Sequence, residues 1–209
     1  MDLKIQKKWL LSTLREQGIR DARVLAALEA VPREEFVPSH LRDCAYDNTP
    51  LPIGEGQTIS QPFMVAYMTD ALRVKEGDRV LEVGTGSGYQ AAVLAELGCE
   101  VYSVERVGPL ASAAQETLRR LGYSVQVRAG DGNEGWPEHA PYNGIMVTAG
   151  AGRVPAALLE QLGQGARLVI PVGSAWIQNL LVVTRKDGGY DYETDIGCSF
   201  VPLVGPNSY

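Results

Sequence analysis

The residues whose type and spacing can do chemistry fall in four places along the chain. Glu82 precedes three glycines at alternate positions in Glu82-Val83-Gly84-Thr85-Gly86-Ser87-Gly88-Tyr89. An apolar run leads into this stretch, and the helix-favouring segment Gln90-Ala91-Ala92-Val93-Leu94-Ala95-Glu96-Leu97 follows it. Glycines so placed let the main chain turn with positive φ and let a ligand approach with no Cβ in the way. The N–H groups that open the following helix then face that ligand and favour negative charge. Glu105 ends the next apolar run, 21 residues after Gly84. There it reads either as a surface charge or as an acceptor for both hydroxyls of a ribose. Asp131, in Ala129-Gly130-Asp131-Gly132, follows a third run and reads either as a solvated turn residue or as a contact for the adenine end of the same ligand. Just ahead of Pro62, Ser60 or Gln61 occupies the cap of a helix, and Ser60 reads either as that cap or as a hydroxyl beside a ligand.

The glycine spacing argues against a dinucleotide. That fingerprint is G-x-G-x-x-G, and Tyr89 stands where its last glycine belongs. A nicotinamide-dependent oxidoreductase is disfavoured on this ground. The pattern E-x-G-x-G-x-G instead resembles the first motif of S-adenosylmethionine-dependent methyltransferases.

Positioning these residues requires alternating strands and helices. Strands are expected at 79–83, 100–105, 124–128, 143–147 and 166–172, with helices at about 87–97, 110–121 and 154–162 between them. Such alternation implies a doubly wound, mostly parallel α/β sheet with helices on both faces. Ahead of it, residues 2–17 read as one helix and Asp21 caps a second that Pro32 stops. Residues 39 to about 59 read as a long irregular run, and Pro62 sits in the first turn of a further helix. After Gly173 the pattern becomes antiparallel, with strands at 178–185 and 190–195 around the turn Lys186-Asp187-Gly188-Gly189. The expected organisation is a single domain, 1–209. Residues 1–75 form a helical and loop region on the substrate side, 76–175 the cofactor-binding core, and 176–209 the strands that complete the sheet.

Composition narrows the class. With 45% hydrophobic residues the chain can bury a sizeable core. Its 19 basic and 25 acidic side chains give a net charge of −6, with no basic run, so a nucleic-acid partner is not expected. No apolar stretch approaches the ~20 residues that span a membrane, and the N-terminus lacks a signal-peptide apolar region. Cys44, Cys99 and Cys198 are odd in number and far apart, which suits neither a disulfide framework nor zinc-ligand spacing. A cytoplasmic monomer with no metal is the expectation.

From about Val31 to Gly205 the chain resembles the protein-L-isoaspartate (D-aspartate) O-methyltransferase family. The resemblance is carried by Val31-Pro32-Arg33-Glu34-Glu35-Phe36-Val37, by Leu51-Pro52-Ile53-Gly54-Glu55-Gly56-Gln57-Thr58-Ile59-Ser60-Gln61-Pro62 and by the glycine motif. Val104-Glu105-Arg106, Gly130-Asp131-Gly132, Leu168-Val169-Ile170-Pro171-Val172-Gly173 and Phe200-Val201-Pro202-Leu203 add to it. Two departures stand out: Tyr142-Asn143-Gly144 where the family usually has Tyr/Phe-Asp-Ala, and Gly150 where alanine or proline is more usual. The resemblance implies S-adenosyl-L-methionine as cofactor, held by Ile59, Glu82, Gly84, Thr85, Gly86, Ser87, Gly88, Glu105, Arg106, Asp131 and Gly132. It implies Ser60 as the active-site serine and isoaspartyl proteins and peptides as substrates. Thr148, Ala149 and Val201 join Ser60 as candidate substrate contacts, with main-chain N–H groups of residues 148–151 as donors. The rival readings are a methyltransferase for another carboxylate, a nucleic-acid methyltransferase and a non-catalytic cofactor-binding protein.

Overall fold

A computed structural model describes residues 2–208. Two helices open the chain, α1 (Leu3–Glu16) and α2 (Ala22–Ala30), capped by the carboxylates of Asp2 and Asp21. Short 3₁₀ turns follow at Arg33–Phe36 and Ser39–Cys44. Then come a hairpin, β1 (Leu51–Gly54) and β2 (Gln57–Ile59), and α3 (Pro62–Leu72). The core alternates β3 (Arg79–Val83), α4 (Tyr89–Glu96), β4 (Glu100–Glu105), α5 (Gly108–Arg120), β5 (Val125–Ala129), β6 (Tyr142–Val147) and α6 (Ala156–Gln161). It closes with β7 (Leu162–Gly173), β8 (Gln178–Lys186) and β9 (Gly189–Cys198).

The seven-stranded sheet has the order β5-β4-β3-β6-β7-β8-β9. Strands β5 to β7 pair in parallel, while β7, β8 and β9 pair antiparallel. The period of two divides the buried residues between two layers. Val80, Val101, Met146, Val169 and Val182 face α1–α4 and the hairpin. Their neighbours Leu81, Tyr102, Ile145, Leu168 and Val183 face the layer that holds Leu158 of α6 and Leu203. From β3 the chain winds outward through β4 and β5, then returns to β6 on the other side of β3. The carboxyl ends of β3 and β6 therefore form the switch point where such sheets bind ligands.

Three expectations need correction. Within residues 39–59 the stretch 51–59 is not irregular, because β1 and β2 pair from Leu51–Ile59 inward through a turn in which both Glu55 (φ 52°) and Gly56 (φ 68°) are left-handed. Pro50 and Pro52 hid the strand signal, while the turn itself has the twist a tight hairpin needs. Strand β7 starts at Leu162, four residues before its expected start, because Gly163 and Gly165 masked its beginning; α6 is correspondingly short. Ser60 does not cap α3. Gln61 occupies the cap position without a side-chain bond, and Asn48 Oδ1 accepts the Phe63 N–H from across the loop at 3.0 Å.

The two departures from the family pattern have steric explanations. A Cβ at Gly144 would lie 2.8 Å from Val74 Cγ1, and one at Gly150 would lie 2.5 Å from Gln178 Nε2. Asn143 is exposed at the start of β6, where its Oδ1 accepts the Arg79 N–H at 2.9 Å, at the edge of the sheet opposite the switch point.

Candidate active site

A cleft of about 920 Å³, open mouth included, lies over the carboxyl ends of β3, β4 and β6. One wall is the glycine turn. Gly84 (φ 99°) leaves β3 with its N–H bonded to Val104 O at 2.8 Å. A Cβ at Gly84 would lie 2.5 Å from Thr148 Oγ1, a hydroxyl that donates to Gly84 O at 2.6 Å. Gly86 (φ 53°) donates its N–H to Glu105 Oε2 at 2.8 Å, and Glu105 Oε1 accepts the Val107 N–H at 2.9 Å. Each of these oxygens keeps a further lone pair for a ligand.

Behind this turn, Thr85 Oγ1 and Ser103 Oγ are 2.6 Å apart, and Ser103 donates to Glu82 Oε2. Glu82 is fully buried, and its Oε1 has no partner among the described residues. Burial pushes its carboxyl up to about 8, against the Ser103 hydrogen bond and with a smaller contribution from Glu105. A buried, unpartnered carboxyl oxygen in a cleft wall is costly unless a ligand supplies a partner.

The other wall comes from outside the parallel core. Ile59 and Ser60 follow β2 and line the cleft, as do residues 201–204 of the C-terminal segment. The Ser60 hydroxyl makes no hydrogen bond among the described residues, while its carbonyl accepts from Arg33 Nη2 at 2.8 Å. The C-terminal segment is tied to the core in steps: Gly150 N–H to Val201 O at 2.8 Å, and Leu203 N–H to Gly150 O at 2.7 Å. Asn133 Nδ2 also donates to Val204 O at 3.0 Å.

Most of the expected site residues gather here. Ile59, Ser60, Glu82, Gly84, Thr85, Gly86, Ser87, Glu105, Arg106, Gly132, Thr148, Ala149 and Val201 all line the cleft. Gly88 and Asp131 stand outside that lining. Gly88 lies under α5, where a Cβ would come within 3.2 Å of Leu118. Asp131 Oδ1 accepts the N–H and Nδ2 of Asn133, so it fixes the turn that holds Val204. The donor set at 148–151 also shrinks. The N–H groups of Thr148, Gly150 and Ala151 are bonded to Val83, Val201 and Pro171, leaving Ala149 N–H free among the described residues. Residues not singled out from sequence also line the cleft, among them Val65 and Val107. Their apolar side chains carry no chemical signal that separates them from core. Neither His40 nor His139 lines it.

The residues fit an adenosylmethionine. Glu105 lines the cleft beside the glycine turn with lone pairs to spare, Glu82 Oε1 has no partner among the described residues, and Cβ atoms at Gly84 or Gly132 would strike Thr148 or Val83 in the cleft wall. A doubly wound sheet with this glycine turn at its switch point and a carboxylate at the next strand end defines a class I adenosylmethionine-dependent methyltransferase. The model of the protein-L-isoaspartate (D-aspartate) O-methyltransferase family matches residues 5–208, and the chain belongs to that family. It is 56% identical over 198 residues to a protein-L-isoaspartate O-methyltransferase of Halorhodospira halophila, covering 93% of this chain and 90% of that one. A relative of the same name (numbered 2) from Pelobacter propionicus is 57% identical over 197 residues, covering 92% and 87%. Among solved structures, a protein-L-isoaspartate O-methyltransferase superposes with a TM-score of 0.88 at 30% identity, over 95% of this chain and 66% of that one. A second, from Plasmodium falciparum and described as a putative enzyme of this kind in complex with S-adenosyl-L-homocysteine, superposes with a TM-score of 0.81 at 26% identity, over 94% and 97%.

Proposed function

We propose that this chain methylates the free α-carboxylate of L-isoaspartyl residues, and of D-aspartyl residues, in damaged proteins and peptides, which initiates their repair. The observation that carries the reading is the meeting of two walls in one cleft: the glycine turn with Glu82 and Glu105, and Ser60 with an unpartnered hydroxyl. When bound, S-adenosyl-L-methionine supplies an electrophilic methyl group on a sulfonium.

Glu105 and the glycine turn hold the ribose end, and Glu82 faces a donor on the same ligand. The substrate carboxylate has an ordinary pKa near ~3.5–4, so it is already ionised at neutral pH and needs no general base. Ser60 Oγ–H and Ala149 N–H each donate to that carboxylate and hold it in one orientation. A bound sulfonium would give up its methyl group to the carboxylate oxygen and keep the C–S electron pair, so the chain's own part is to orient the carboxylate. Anion and cation neutralise each other, so a cleft that excludes water favours the transition state. Ile59, Val201 and Leu203 supply that apolar lining. Catalysis rests on orientation, and Ser60 acts as an orienting donor, not as a nucleophile.

Residues 1–75 form the substrate-side region, 76–175 the cofactor-binding core and 176–209 the strands that complete the sheet, with Ile59 and Ala149 reaching across that division. The three free cysteines suit a reducing, cytoplasmic setting. Among the described residues, no helix is long and apolar enough to cross a membrane. The test is transfer of labelled methyl to twin peptides, one isoaspartyl and one aspartyl. Base-labile label on the isoaspartyl twin alone is the expected result; label on neither, with cofactor binding intact, refutes the substrate.

A further inference from the structure

Arg33 is completely buried, yet no carboxylate pairs with it among the described residues. Its neighbour Glu34 is bonded to the Tyr46 hydroxyl instead. The guanidinium is held by two carbonyls: Nε donates to Ala45 O and Nη2 to Ser60 O, each at 2.8 Å. Its Cζ lies 4.8 Å from the centroid of the Tyr89 ring, and Nη1 has no hydrogen-bond partner among the described residues. Burying an unpaired cation is costly, and an apolar side chain of similar volume would fill the space more cheaply. Filling space therefore does not account for an arginine here. Its contacts do, because they join both walls of the cleft. Tyr89 is the first residue of α4, directly after the glycine turn. Ser60 is the first residue beyond the β1–β2 pairing, which ends at Leu51–Ile59.

We propose that Arg33 is a positioning residue, whose guanidinium sets the Ser60 main chain against the helix that follows the cofactor's glycine turn and so sets the reach of the Ser60 hydroxyl. The inference rests on the orienting role of Ser60 argued above. A planar fork can bond two carbonyls while stacking on a ring, and an ammonium cannot reproduce that geometry. Arg33 touches neither substrate nor cofactor in this role and acts through Ser60.

The test is a double-mutant cycle on the full chain: Arg33→Lys, Ser60→Ala and the pair. Each variant is measured for kcat with an isoaspartyl peptide, for S-adenosyl-L-homocysteine affinity by calorimetry, and for melting temperature. Arg33→Lys is expected to lower kcat about tenfold, the scale of a misplacement well under an ångström, with product affinity kept within about twofold. In the Ser60→Ala background the same substitution is expected to cost less than about threefold, since residues acting through one another are not additive. An unreduced tenfold cost in that background, or affinity falling in step with kcat, would overturn the proposal and leave Arg33 a part of the scaffold. Ser60→Ala with undiminished kcat would instead refute the Ser60 role itself, and the inference with it. If Arg33→Lys does not fold, Tyr89→Leu removes the stacking face, and the same non-additivity with Ser60→Ala decides the matter.

Discussion

The glycine-turn wall of the cleft is fixed by neighbouring strands, whereas the Ser60 wall is fixed by single side chains that reach across the sequence. On the first wall, Glu82 and Glu105 sit on paired strands whose register runs from Arg79↔Glu100 to Val83↔Val104 without a shift. On the second, Asn48 holds the start of α3, Arg33 holds the Ser60 carbonyl, and Asn133 with Gly150 holds residues 201–204. A wall set by strand register is rigid and suits an unchanging cofactor. A wall assembled from loops can admit many peptide sequences, which suits damage that arises anywhere. Substitutions on the first wall should therefore change cofactor affinity, and those on the second should change turnover or the peptide KM.

The largest effect is expected from Gly84→Ala. The new Cβ meets Thr148 Oγ1 at 2.5 Å with the backbone at φ 99°, so both strain and collision oppose it. A cost of about 3 kcal/mol, read as cofactor affinity falling about a hundredfold or as a lowered melting temperature, is the scale to expect. Wild-type affinity and stability would show that the turn is less tightly specified than the geometry indicates. Glu105→Gln comes next. It removes the charge that binds hydroxyls and amides while keeping the shape, a loss of about 2 kcal/mol for hydrogen bonds to a charged group. Calorimetry should find weaker cofactor binding with kcat at saturating cofactor little changed. A fall in kcat alone would erase the distinction between the walls.

A smaller effect is expected from Gly150→Ala, which presses on the Gln178 side chain at 2.5 Å. Gln178 also grips Phe200 through both its amide atoms. Displacing it should raise the peptide KM about threefold, roughly 0.7 kcal/mol, while leaving cofactor affinity alone. Glu82→Gln sharpens the first wall through pH. The carboxyl of Glu82 titrates near 8 when folded, against an ordinary 4.5, so between those values the folded chain holds a proton that the unfolded chain has released. Its contribution to stability is full below pH 4.5 and is lost as pH rises through 8. Chemical denaturation across that window should show stability falling with pH in the wild type and less steeply in Glu82→Gln. Equal slopes would place the titration elsewhere.

The two walls also differ in how far they can be read without coordinates. The bounds of β3 and β4 agree with the strands expected at 79–83 and 100–105, because fully buried parallel strands read as short apolar runs closed by turn residues. The place of Glu105 at the carboxyl end of β4 followed from that spacing. The hairpin around Glu55 and Gly56 did not, since its prolines and left-handed turn imitate an irregular loop. The cap of α3 could not be assigned from local spacing, because its acceptor is Asn48, 15 residues away. Nor could Asp131, whose partner Asn133 is local but whose consequence, the grip on Val204, spans the chain. Arg33 reads as one charge in a charged run, and only its complete burial between Tyr89 and Ser60 gives it meaning.

The separation of the two walls is tested most directly by Ser60→Ala, with S-adenosyl-L-methionine affinity and kcat on an isoaspartyl peptide measured on the same preparation. The expected result is an affinity within about twofold of wild type and a kcat lowered about tenfold to a hundredfold, the worth of one hydrogen bond to a charged group. Cofactor affinity falling by the same factor as kcat, or kcat left unchanged, would contradict the assignment of Ser60 to the peptide's carboxylate.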